Sequence, residues 1–147
     1  MACTPVTTRP DFKPFPESPI VVLLAPRQRV ISALAGFVMA DSLRVKRVNA
    51  EDGYLETEWY DTRTHRSFEG NRVPDLGSAV KLRCWADPYV ASETILTIEA
   101  AYRPRYDPSR PERDLELVVP PDRDGAKLAA GLLVRLKERF GSPAPPR

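Results

Sequence analysis

A short unbroken apolar run, Ile20 to Leu24, stands between Pro19 and Pro26. Its length and its Ile/Val content predict a buried strand. Val30, Ala33, Leu34, Phe37 and Val38 then recur at helical spacing. Pro26 suits a first helical turn, where its missing N–H costs nothing, so a helix over 26–40 is expected. From Ser42 the period becomes two: Leu43 and Val45 alternate with Arg44 and Lys46 as far as Val48. Asn49 to Gly53 has turn composition, and 54–61 reads as a returning strand with Leu55, Thr57 and Trp59 on one face. Strands over 80–86 and 94–102 follow, the first burying Val80, Leu82 and Cys84 and the second Leu96, Ile98 and Ala100, with LELVVP as a last short strand. Leu128, Leu132, Leu136 and Phe140 recur at every fourth position, flanked by Ala129 and Leu133, with acids before them and bases after. Gly141 completes a second helix.

This order predicts an α+β domain over 20–141. An antiparallel sheet of about five or six strands is covered on one face by two helices, in the order β-α-β-β-β-β-α. The opposite face and the loops 62–78 and 103–113 are left for a partner. Residues 1–19 carry five of the 16 prolines and read as an extended Pro/Thr-rich tether, and 142–147 as a Pro-rich disordered tail. At polyproline-like extension, the 16 residues after Cys3 would span about 50 Å.

Composition narrows the function more than it assigns one. The 147 residues include 42% hydrophobic and 29% charged positions, enough for one domain with a real core. A net charge of +2, without a nucleic-acid-binding motif, gives no reason to expect DNA or RNA as a partner. The stretch from Ile20 to Ala40 is interrupted by Pro26, Arg27, Gln28 and Arg29, so it does not read as a membrane span. Cys84, on the apolar face of its strand, reads as a small buried hydrophobe.

Candidate chemistry is sparse. His65 is the single histidine and falls in a polar loop, so neither a structural zinc site nor a catalytic triad is expected. Glu56 and Glu58 are two apart in a predicted strand, which would put both carboxylates on one side about 7 Å apart, a spacing a glycosidase could use. A half-wet strand, paired with the bases of 42–48, needs the same pattern. Arg103, Arg105, Arg110 and Arg113 are interspersed with Asp107, Glu112 and Asp114 and read as a solvated loop or a protein contact. Strict alternation turns Trp59 inward and Tyr60 outward, and puts Trp85 on the face opposite Cys84. No catalytic residue, cofactor or metal ligand is assigned.

The segment from the first strand through LRVKRVNAEDGYLETEWYD resembles the BamC (NlpB) family, lipoproteins of the outer-membrane β-barrel assembly machinery. Pro26 opening a helix with a basic start, the Val30/Leu34/Phe37 stripe, a charged turn with Gly53 and a strand with an aromatic end carry the resemblance over residues 20–61. It implies a helix-grip domain and, in Cys3, an acylation site. BamC-like proteins carry two such domains after a longer segment, whereas one is predicted here. Ala2 supplies the small residue of a lipoprotein cleavage site. The apolar region of a leader is expected to have been trimmed or to precede the assigned start.

The resulting expectation is a non-enzymatic, lipid-anchored envelope protein facing the periplasm, an accessory or scaffold subunit docked on a larger membrane protein complex. Thr4 after the cysteine favours the outer membrane over the inner. Phe12 and Phe15 of the tether, with Phe68, Arg103, Arg105 and Tyr106 of the loops, are the expected partner-binding residues. Two alternatives are a small-ligand or lipid-binding periplasmic module, with an apolar cleft between the second helix and the sheet, and an accessory subunit of an energy-transducing membrane complex.

Overall fold

Each apolar period identified above becomes an element in the computed structural model, which describes residues 7–68 and 77–143. Cys3 and most of the tail lie outside the described residues. In chain order the elements are β1 (Ile20–Leu23), α1 (Arg27–Ala40), β2 (Val45–Asn49), β3 (Tyr54–Thr57), β4 (Tyr60–Asp61), β5 (Arg66–Ser67), β6 (Ala79–Pro88), β7 (Thr94–Tyr102), α2 (Glu112–Leu115), β8 (Leu117–Val118) and α3 (Asp124–Phe140). The architecture is α+β with an antiparallel sheet and three helices.

The main path of the sheet runs β1-β7-β6-β3-β2. The two-residue β8 adds beside β7, and the β4–β5 hairpin beside the start of β6, which brings the strands among the described residues to eight. The expected continuous strand over 54–61 is two strands. The Thr57 hydroxyl accepts the Leu82 N–H at 3.0 Å, and pairing with β6 resumes only at Tyr60, opposite Val80. That interruption reverses the alternation beyond it. Tyr60 therefore joins the apolar core, where strict alternation had turned it to solvent.

One face of the sheet is apolar. Leu82, Cys84 and Ala86 of β6, with Leu96, Ile98 and Ala100 of β7, share a buried cluster with Val30, Ile31, Leu34 and Val38 of α1 and Ala129, Leu132, Leu133 and Leu136 of α3. Cys84 is fully buried, and burial, with a contribution from Glu99, pushes its thiol pKa up. The space proposed for an apolar ligand between α3 and the sheet is thus filled by Leu132 and Leu136, both fully buried. At α3's start, a Cβ on Gly125 would lie 2.6 Å from the Val80 side chain, so only glycine allows this approach of helix to sheet.

Candidate functional site

The other face of the same strands is polar in sequence and buried in fact. Alternation that places Leu82, Cys84 and Ala86 against the helices turns Lys81, Arg83 and Trp85 to the opposite side, across from Ala101, Glu99 and Thr97 of β7. Tyr54 and Glu56 of β3 complete the patch, pairing with Trp85 and Arg83. Two segments cover it: residues 7–19, which lie along the sheet as a strap, and the stretch through α2 and β8.

Arg83 is the centre. Its guanidinium forms a two-pronged pair with Glu116, at 2.6 and 2.9 Å, and reaches Glu56 at 3.2 Å and Glu99 at 3.3 Å. Arg113 makes a second fork, both nitrogens lying 2.8 Å from Glu99, and donates to the Lys13 carbonyl at 2.9 Å. Glu56 also accepts from the Tyr54 hydroxyl at 2.7 Å and has Lys46 at 3.8 Å. Burial alone would raise the Glu56 pKa. The Tyr54 hydroxyl and the charges of Lys81, Arg83 and Lys46 outweigh it, so the carboxyl sits below its ordinary range.

Beside this network lies a second, built on Trp59. Its indole donates to Glu112 at 2.7 Å, with Lys81 5.1 Å and Arg103 5.2 Å from its ring centre. Glu112 pairs with both cations at 3.6 Å. Burial works to raise its pKa too, but Lys81, Trp59, Arg83 and Arg103 hold it down. Burial lowers the pKa of Lys81, with Glu112 opposing.

The strap is fixed at both ends. Near its start, Asp52 accepts from the Thr7 hydroxyl, the Thr8 N–H and the Thr8 hydroxyl at 2.7–2.9 Å. Arg9 donates to the carbonyls of Asp52, Gly53 and Ala86 and pairs with Asp87 at 2.7 Å. Only glycine serves at position 53: its φ is +73°, and a Cβ there would lie 2.2 Å from the Ala86 oxygen. Farther along, the Phe15 N–H donates to Glu99 at 2.9 Å. The Arg113 guanidinium sits between two rings, 3.7 Å from the Phe15 centre and 4.1 Å from that of Phe12. Trp85 is buried beneath this layer, edge-on to Tyr54 at 5.6 Å.

These contacts change several sequence readings. Phe12 and Phe15 are brought together, but on the chain's own Arg113. Arg103 and Arg113 are buried or largely so, not members of a solvated loop: α2 folds Arg113 onto the sheet, and Arg103 packs on Trp59 beside Glu112. Arg103 and Tyr106 meet at 5.5 Å, whereas Arg105 is exposed and Phe68 lies apart, beside a cavity of about 580 Å³ with Met39, Leu43 and Glu58. Glu56 and Glu58 do not form a pair, since Glu58 falls outside β3, where the strand breaks. The sheet face left open for a partner is already occupied. Glu99 and Glu116 were not singled out as candidates; the available signal was Glu99 directly across from Arg83.

Among the described residues no group of three or more His, Cys, Asp or Glu side chains could hold a metal ion. No helix among them is long and apolar enough to cross a membrane. Comparison with protein-family models and with curated proteins gives no match.

Proposed function

We propose that this protein is a lipid-anchored accessory subunit of the bacterial envelope, a scaffold module that docks on a larger membrane protein complex rather than an enzyme. The observation that carries this reading is the strap. Residues 7–19 are clamped to the module by Asp52, Asp87, Glu99 and Arg113, so a cysteine only four residues before Thr7 would tie a rigid body closely to the membrane. Two or three acyl chains on Cys3 would give the stable attachment that one chain does not. The carboxylates best placed for chemistry are committed to ion pairs, and Glu56 and Glu112 are held ionised rather than poised to donate a proton. The resemblance of residues 20–61 to BamC-like lipoproteins points the same way, toward a helix-grip module at the outer membrane facing the periplasm.

Intact-mass measurement on protein extracted from its native membrane tests the anchor. The expected result is a chain starting at Cys3 with a glycerol-linked diacyl group, with or without a third acyl chain, and loss of membrane association in a Cys3→Ser variant. An unmodified Met1 or Ala2 terminus overturns it. For docking, the surface still offered includes exposed Arg105 and Tyr106, with Phe68 at its own cavity. Replacing all three with alanine should weaken co-purification of the partner complex without changing thermal stability.

A further inference from the structure

One end of the module gathers features that the ion network does not use. The β6–β7 hairpin projects there, closed by Tyr89 N–H to Glu93 C=O and Glu93 N–H to Val90 C=O, both at 3.0 Å. At its tip Tyr89 is 51% exposed and Val90 57% exposed. Leu24 is 48% exposed and stands at the same end, since it follows Leu23, which pairs with Thr94 at the base of the hairpin. The strap's first clamp is also at this end: Arg9 holds Asp87 and the Ala86 carbonyl, and Thr7 and Thr8 hold Asp52.

We propose that this end faces the bilayer, with the Tyr89–Val90 tip seated among the phospholipid headgroups. The inference rests on acylation at Cys3. Thr7 is four positions after Cys3, and a chain spans at most about 3.6 Å per residue, so a lipid at Cys3 holds Thr7 within about 14 Å of the membrane surface. The hairpin extends beyond that clamp. Ala86 donates its N–H to Gly53, level with the clamp, and Asp87, Pro88 and Tyr89 continue outward at about 3.3 Å each, roughly 10 Å in all. The tip and the anchor therefore reach comparable depths. A tyrosine beside an aliphatic residue suits a boundary that is apolar on one side and wet on the other. Charge does not draw this end to anionic lipid: Arg9 is paired with Asp87, and Glu51, Asp52 and Glu93 add negative charge there. Insertion of the apolar tip and the short anchor, rather than attraction to anionic lipid, set the orientation.

The test supplies the anchor chemically, so it stands apart from whether the cell acylates Cys3. The full chain is coupled through Cys3 to a maleimide-headgroup lipid in vesicles of phosphatidylethanolamine and phosphatidylglycerol; Cys84 is buried and does not compete. Hydrogen exchange of residues 89–92 is compared between coupled and free protein. Slowing by about fivefold or more is expected, retained in vesicles of neutral phosphatidylcholine and lost in a Tyr89→Ser/Val90→Ser variant. An Arg9→Ala/Asp52→Ala variant, whose strap is unclamped and whose anchor is longer, should return exchange toward the free rate. Equal exchange in coupled and free wild-type protein would overturn the proposal and leave the tip to a protein partner. Slowing that vanishes on neutral vesicles would overturn the apolar basis given for it.

Discussion

The two faces of this sheet are built from the same strands and are both buried, yet they are held by different physics. Against α1 and α3 the contacts are Leu, Ile, Val and Ala in a contiguous cluster. Beneath the strap they are Arg83, Arg113 and Lys81 against Glu56, Glu99, Glu112 and Glu116, with aromatic rings over the guanidinium groups. An apolar contact tolerates small shifts, because dispersion and water exclusion have little directionality. A buried ion network does not: Arg83, Glu99 and Glu116 at its centre have already lost their hydration, and removing one partner leaves the others uncompensated. The ionic face should therefore be the more fragile to single substitutions and the one that responds to pH.

The largest effect is expected at Arg83. Arg83→Met leaves Glu116, Glu99 and Glu56 buried without their common cation, and by analogy with other broken buried pairs should cost about 3–5 kcal/mol. Leu132→Ala on the helical face falls in the same range, about 2–5 kcal/mol, through the cavity it leaves. A second change beside Arg83→Met separates the two. Arg83→Met combined with Glu116→Leu should recover much of the loss, since the pair is then replaced by apolar groups, whereas Leu132→Ala has no such partner. Urea unfolding measures all three. A loss below about 1 kcal/mol for Arg83→Met would mean that the strap face is hydrated in solution.

Acid should part the faces next. The pKa values of Glu56 and Glu112 are depressed in the folded state, so the stability they contribute is present above the ordinary glutamate range and is lost as pH falls through their lower folded values. Asp52, which clamps the strap, and Asp61 shift the same way. The melting temperature should hold from pH 7 to about 5 and then fall, as carboxylates are protonated while Arg83 stays charged. Glu56→Gln should reduce that acid slope while lowering the plateau. An unchanged slope would move the acid sensitivity to other groups.

The same contrast explains what was readable in the sequence. Helical and strand periods in Val30–Val38, Leu82–Ala86 and Leu128–Phe140 are records of apolar burial, and the helical face follows from them. The charged positions of the same strands give the identical pattern whether water or a strap lies over them. Glu56 therefore reads as the wet side of its strand, the face opposite the helices as open to a partner, and Pro-rich 1–19 as an extended tether, because the clamps at Asp52 and Glu99 link residues 44 and 84 positions apart. The break after Thr57 was equally invisible. It depends on one hydroxyl substituting for a ladder carbonyl.

Strap docking should be separable from folding. Phe15→Ala removes one of the two rings on Arg113, a loss of about 0.5–2 kcal/mol by the usual strength of such contacts. The global unfolding midpoint should shift by at most that amount. Exchange at the Phe15 and Thr8 amides, which donate to Glu99 and Asp52, should accelerate more than exchange in β6 and β7. Uniform acceleration across strap and sheet would show that the strap and core unfold as one unit, and the two faces would not be energetically distinct.

The smallest effect, and the only one expected to stabilise, comes from outside both faces. Gly36 lies within α1, and a Cβ there meets nothing within 4 Å. The site borders an open cavity of about 620 Å³ between α1 and the end of α3, near Phe37 and Phe140. An alanine therefore creates no clash and buries no new polar group. It restricts the unfolded chain and improves helix propensity, together worth roughly 0.5–1 kcal/mol. Gly53→Ala is the matched opposite, since the left-handed backbone and the Ala86 oxygen both reject a side chain there. Gly36→Ala should raise the melting temperature by a few degrees without altering the acid slope, because α1 packs on the apolar face alone. A loss of stability at Gly36 would mean that another surface closes over this groove in solution, and the outer helical layer would then count as a third buried face.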